Sequence, residues 1–149
     1  MSATYTQAID EIFGRFNDIW QAQATGICGE VPEVRWHGIE SPEKPNYDKY
    51  WVRVSQETVD ERQSTLRNPN CGQRHRTDGL LFIQLFCPKS DARSMENGRK
   101  LATIARDAYR GYTSPSGVWF RNARVSELEA EEKWIRFNVI VTYQYDETN

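Results

Sequence analysis

The chain of 149 residues has little of what most chemistry is built from. It holds 3 cysteines, Cys28, Cys71 and Cys87, and 2 histidines, His37 and His75. An odd number of cysteines without framework spacing predicts no disulfide and suits a reducing cytoplasm. A structural zinc site draws on four nitrogen or sulfur ligands, commonly in two close pairs. Only Cys71 with His75 makes such a pair, with Cys87 and His37 distant in sequence, so no metal is expected. The same pair is the one local candidate for an activated thiol, and it lies in a polar loop, a poor place to hold reacting groups in register. The chain also lacks G-x-S-x-G, G-x-x-x-x-G-K-[ST] and G-x-G-x-x-G. These absences predict neither an enzyme nor a resident cofactor. A small metal-binding or enzymatic domain built on Cys71, His75 and Cys87 is the outlying alternative.

Long apolar runs are missing too. No stretch approaches the ~18 consecutive apolar residues of a membrane span. The opening MSATYTQAIDEIFGRF sets acids inside its apolar pattern and lacks a basic start, so no secretory leader is expected. Excess positive charge is absent as well: a net charge of -2 and a pI near 5.7 argue against general adhesion to nucleic acid.

What is present belongs to a folded chain. There are 5 Trp, 7 Tyr and 6 Phe, with 38% hydrophobic and 27% charged residues. The length suits one domain, 1–149, with one core. The most apolar run is Gly79–Pro88, GLLFIQLFCP. As a strand it sets Leu80, Phe82, Gln84 and Phe86 on one face and Leu81, Ile83, Leu85 and Cys87 on the other, which predicts a central strand of a covered sheet.

Two amphipathic helices are expected to cover it. Tyr5, Ile9, Ile12, Phe13, Phe16, Ile19 and Trp20 form one helical stripe, with Thr4 or Thr6 as cap and Gly26 as stop. Met95, Leu101, Ile104, Ala105, Ala108 and Tyr109 form a second, capped by Ser90 or Ser94 and stopped at Gly111. Val34–His37 and Tyr50–Ser55 read as a pair of strands. Val118–Val125 and the alternation from Trp134 to Gln144 read as an antiparallel pair, joined by an acidic link that holds Glu127, Glu129, Glu131 and Glu132. Those acids are read as a solvated face rather than a catalytic carboxylate pair. The fold class is therefore α+β: a mostly antiparallel or mixed sheet of about five strands, two helices, and a long polar arm between strands.

That arm, 58–77, has almost no apolar content and carries Arg62, Arg67, Arg74 and Arg76. It is either a solvated loop or an element that orders against a partner. Its arginines are able to contact phosphates, but no aromatic lies among them for stacking on bases, and guanidinium forks pair bidentately with carboxylates, so an acidic protein surface is at least as good a target.

Taken in order, the helix ending in Trp20, the Trp36-His-Gly turn, Tyr50-Trp51-Val-Arg-Val, the arm, Gly79-Leu-Leu-Phe-Ile-Gln-Leu-Phe, the Leu101-Ala helix, Val118-Trp-Phe and Trp134-Ile-Arg-Phe-Asn-Val make a pattern. It resembles the tail-terminator family of long-tailed bacteriophages, also called tail-completion or minor tail proteins. The resemblance runs over nearly the whole chain and rests on loose motifs rather than one signature. It implies a virion protein assembled in the host cytoplasm. Such a subunit forms a ring, expected to be a hexamer, that caps the tail tube, stops its polymerisation and offers a docking surface to the head connector. DNA would pass through the ring without specific binding, and the family has no catalytic residues to carry over. A head-closure or connector protein from the neck of the same particle is the near alternative.

Overall fold

The computed structural model describes residues 3–39, 43–63 and 74–148. Helix α1 (Tyr5–Gln23) starts at Thr4, where a capping box satisfies two otherwise open donors: Thr4 Oγ1 accepts from the Gln7 N–H, and Gln7 Oε1 accepts from the Thr4 N–H. It buries Ala8, Ile12, Phe16 and Trp20, a stripe at four-residue spacing. Gly26, expected as the stop, instead lies inside a further turn, α2 (Thr25–Cys28), and the chain leaves the helix at Gly29, whose φ of 85° is open to glycine without strain.

Strands β1 (Glu33–Trp36), β2 (Trp51–Gln63), β3 (Arg74–Pro88), β4 (Trp119–Glu127) and β5 (Trp134–Thr148) form one mixed sheet in the order β1-β2-β3-β5-β4. The β1–β2 pair is parallel, and the others are antiparallel. The apolar run Gly79–Pro88 therefore lies in the middle strand, where ladders on both sides pair its backbone. Helix α3 (Ser94–Asp107) carries the chain from β3 across to β4, and β5 returns between them.

Among the described residues only one face of this sheet is covered, which corrects the expectation of cover on both. Leu81, Ile83, Leu85 and Cys87 are buried in one core with residues of α1 and α3, while Leu80, Phe82 and Gln84 on the other face are half-buried. Both helices sit on the same side because each packs on the other. The Tyr109 hydroxyl just after α3 donates to the Ile12 carbonyl of α1 at 2.7 Å, and an antiparallel sheet tolerates one uncovered face.

The start of α3 also departs from expectation. Arg93 is its N-cap and no side chain caps it, while the Ser94 hydroxyl turns inward to the Pro88 carbonyl and the Tyr50 hydroxyl. Met95, placed by periodicity on the packing face, is 40% exposed, and Asn97 and Gly98 take the inner positions. Gly98 is required there: a Cβ would overlap the Phe137 ring and come within 2.9 Å of Cys87 Sγ.

The two ends of the polar arm are strands. Asp60–Gln63 pair with His75–Asp78 as the outer part of a β2–β3 hairpin, past a register shift between Thr58 and Asp60. Side chains on β2 from Glu57 to Gln63 are exposed on both faces, so no apolar alternation marks them as strand. Arg67 and Cys71 lie outside the described residues.

Burial of neutral acids sets an alkaline limit on the fold. Burial pushes the Cys87 thiol up to about 12 and the Tyr143 phenol up to about 12, and it raises Tyr109 as well. Folded values above the unfolded ones favour the protonated forms, so their contribution is complete below about pH 9 and is lost as pH rises towards about 12. The urea midpoint should hold steady from about pH 7 to 8.5 and fall steeply past about pH 10. A midpoint still flat at about pH 11.5 would contradict the burial of these groups.

Candidate functional site

The uncovered sheet face is the most distinctive surface of the molecule. None of the five strands contains a lysine, and the eight arginines they contain, Arg35, Arg53, Arg62, Arg74, Arg76, Arg121, Arg124 and Arg136, all fall on this one face by register. Strand alternation gives the reason: the intervening positions are the apolar ones that the helices bury.

At the β1 end of the face an aromatic cluster anchors the guanidinium groups. Trp51 stacks on Phe86 with centroids 4.0 Å apart and planes 6° from parallel, and Trp134 meets both edge-on at 6.1 and 6.2 Å. Arg35 and Arg53 lie over the Trp51 ring at 5.3 and 5.4 Å, held by its π-face. Next to the cluster runs a polar row across all five strands, Arg35, Arg53, Gln84, Asn138 and Ser126, each opposite the next. Arg53 Nη1 donates to Gln84 Oε1 at 3.4 Å. Beyond it come Phe82 with Ile140, then Leu80, both rows half-buried and flanked on β4 by Arg124 and Arg121.

Among the described residues, four buried side-chain polar atoms have no hydrogen-bond partner: Arg35 Nε, Trp51 Nε1, Arg136 Nε and Asn138 Oδ1. All four belong to this face. Arg35 Nε is 3.2 Å from Glu33 Oε1 but lacks hydrogen-bond alignment. Buried polar groups are normally paired, so their concentration on one surface marks it as unfinished.

The arginines singled out in the sequence continue the same face towards the hairpin end. Arg62 is held between Asp60 and Asp78, at 2.6 Å from each. Arg76 forks onto Asp146, with Nε to Oδ1 at 3.0 Å and Nη2 to Oδ2 at 3.4 Å, and lies 5.3 Å from the Trp119 ring centroid. Burial pulls the Asp78 carboxyl upward, but hydrogen bonds from Arg62 and Gln144 outweigh it and hold the group below its usual value. Arg74 is exposed at the start of β3. Arg53, Arg121 and Arg124, by contrast, form no ion pair among the described residues.

The structure thus brings Arg62, Arg74 and Arg76 onto one surface with five arginines that the sequence reading passed over. For Arg35, Arg53 and Arg136 the signal was present as alternation: Val-Arg-Trp at 34–36, Val-Arg-Val at 52–54 and Ile-Arg-Phe at 135–137 each set an arginine between apolar residues. Among the described residues no group of three or more His, Cys, Asp or Glu side chains could hold a metal; Cys87 lies in β3 and His37 in the turn after β1. No helix among them is long and apolar enough to cross a membrane.

Fold and surface together define a small α+β domain that presents a broad, arginine-rich sheet face. No protein-family model matches the chain, and no curated protein matches it. Solved structures do share its fold. A chain from the virion of a native gene transfer agent particle aligns over 96% of this chain and 99% of its own length, with a TM-score of 0.55 and 15% identity. Another, without a stated role, aligns over 92% of this chain and 94% of its own, with a TM-score of 0.63 and 12% identity.

Proposed function

We propose that this chain is a structural subunit of a phage-like particle, a tail terminator whose ring caps the tail tube, stops its polymerisation and receives the head connector. The observation that carries the reading is the end-to-end fold likeness to a chain of a gene transfer agent virion, with neither chain leaving a domain unaccounted for. The surface supports it physically. A wide face of half-buried apolar residues and guanidinium groups suits protein contacts, whose cores favour aromatics and Arg over Lys. A ring further needs two different, complementary surfaces per subunit that close at a fixed number, here proposed as six. The 58–77 arm, which carries Arg62, Arg67, Arg74 and Arg76 in its sequence, is the proposed contact to the tube or a neighbouring copy, and DNA passes through the ring without specific binding.

Native mass and negative-stain imaging test this with the full chain, alone and with tail-tube protein. Rings seated on tube ends are expected. A chain that stays monomeric and ignores tubes at every concentration would sink the proposal. Loss of the gene should leave unattached heads beside tails of abnormal length, whereas tails of normal length would indicate a head-closure role instead.

A further inference from the structure

We propose that the uncovered sheet face of one copy seats the α1 side of a second copy, so that the ring closes by stacking a basic sheet face onto an acidic helical face. This contact rests on the ring reading given above.

The sheet face and the α1 side carry opposite charge. On the sheet face, eight strand arginines meet five acids, Glu33, Glu57, Asp60, Asp78 and Asp146, an excess of three positive charges. The whole chain is at -2, so acids elsewhere offset that excess, and of the two long helices only α1 is acidic, since α3 holds Arg99, Lys100 and Arg106 against Glu96 and Asp107. On the opposite side, α1 contains Asp10, Glu11 and Asp18 against a single basic residue, Arg15. Arg15 forms no ion pair with them: its Nε donates to the Ala108 carbonyl at 2.8 Å and its guanidinium sits 4.0 Å above the Tyr112 ring. Glu11 is engaged with the Ser116 N–H at 2.9 Å, which leaves Asp10 and Asp18 exposed and without an ion pair among the described residues.

The helical side of α3 offers no such charge. Lys100 pairs with Glu96 at 3.1 Å, Arg99 with Glu127 at 2.7 Å and Arg106 with Asp107 at 3.0 Å. Of the two long helices α1 is therefore the one with unpaired acids, and the sheet face offers Arg53, Arg121 and Arg124 without an ion pair among the described residues. A second observation points to an acceptor-bearing occupant. Arg35 Nε already faces the Glu33 carboxylate, which leaves Trp51 Nε1 and Arg136 Nε as buried donors with no partner atom, and Trp51 is only 5% exposed.

Nucleic acid fits less well. Base stacking needs exposed aromatic faces, but Trp51, Phe86 and Trp134 are buried against one another. A sheet face opposing a helical face is also a head-to-tail contact, the kind that closes into a ring rather than a two-fold dimer.

The test is a charge swap read by native mass and by sedimentation of the full chain with tail-tube protein. Like charges brought together across an interface cost several kcal/mol, so Arg121→Glu with Arg124→Glu should raise the concentration for half-assembly by about tenfold or more. Asp10→Arg with Asp18→Arg should do the same, and combining all four changes should restore assembly. All four positions are exposed, and circular dichroism with the milder Arg121→Gln, Arg124→Gln pair checks that a loss is not unfolding. If wild type assembles and the Arg→Glu pair assembles equally well, the contact is overturned and the ring stands. If the Arg→Glu pair fails and the Asp→Arg pair neither fails nor rescues, the sheet face binds the tube, or DNA, and the second copy is excluded. A wild type that never assembles removes the ring and this contact with it.

Discussion

Replacing Trp20 with alanine should remove about 3–5 kcal/mol of stability, the range for deleting a large buried aromatic side chain. Trp20 is 1% exposed, stacks on Phe16 at 5.0 Å and donates from Nε1 to the Pro32 carbonyl at 3.2 Å. Truncation empties a volume that the rigid sheet beneath cannot refill, and it strips a buried carbonyl of its donor. Since whole domains are stable by only about 5–15 kcal/mol, this one change takes a large share of the margin. It also loosens the segment between α1 and β1, which that hydrogen bond ties to the helix. Urea unfolding followed by far-UV circular dichroism measures the effect. A loss below about 1 kcal/mol would mean that Trp20 is not buried as described.

Valine at Gly79 should destabilise the protein by about 2–3 kcal/mol, although valine is the better strand former. Propensity and packing disagree in sign here, and magnitude decides. The propensity scale spans about 1 kcal/mol, whereas overfilling a packed site costs about 1–3 kcal/mol or more. The Tyr143 ring lies directly on the Gly79 backbone, where a Cβ would overlap it. That ring has nowhere to go: it is fully buried, stacks on Tyr145 at 6.3 Å and donates its hydroxyl to Gln56 Oε1 at 2.7 Å. Shrinking the ring with Tyr143→Leu should recover part of the loss in the double variant, as expected of two groups in direct contact. A Gly79→Val protein as stable as wild type would show that the Tyr143 ring yields freely.

Gly79 also shows how sequence and structure divide the information. Beside the run Leu80–Pro88 it looks like a boundary residue, the end of an apolar strand and the start of a polar arm. In the structure β3 continues five residues upstream to Arg74 without interruption. Gly79 is there because β5 brings a tyrosine across it, and no local pattern announces a residue 64 positions away.

The apolar periodicities determined the helices, the five strands and the identity of the middle one, because burial on one side imposes a repeat of 3.6 or 2 that single residues cannot hide. The hairpin beyond Gly79 stayed illegible because its β2 side chains face water on both faces and leave no repeat. Which face of the sheet remained open was decided only in three dimensions. Leu80, Phe82 and Phe86 are as apolar as Leu81, Ile83 and Leu85, and the choice between them was made where α1 and α3 lie. The same choice gathered eight arginines, scattered from 35 to 136, onto one surface. Their charge and alternation are local facts, but their convergence depends on strand order and register, which contacts distant in sequence set.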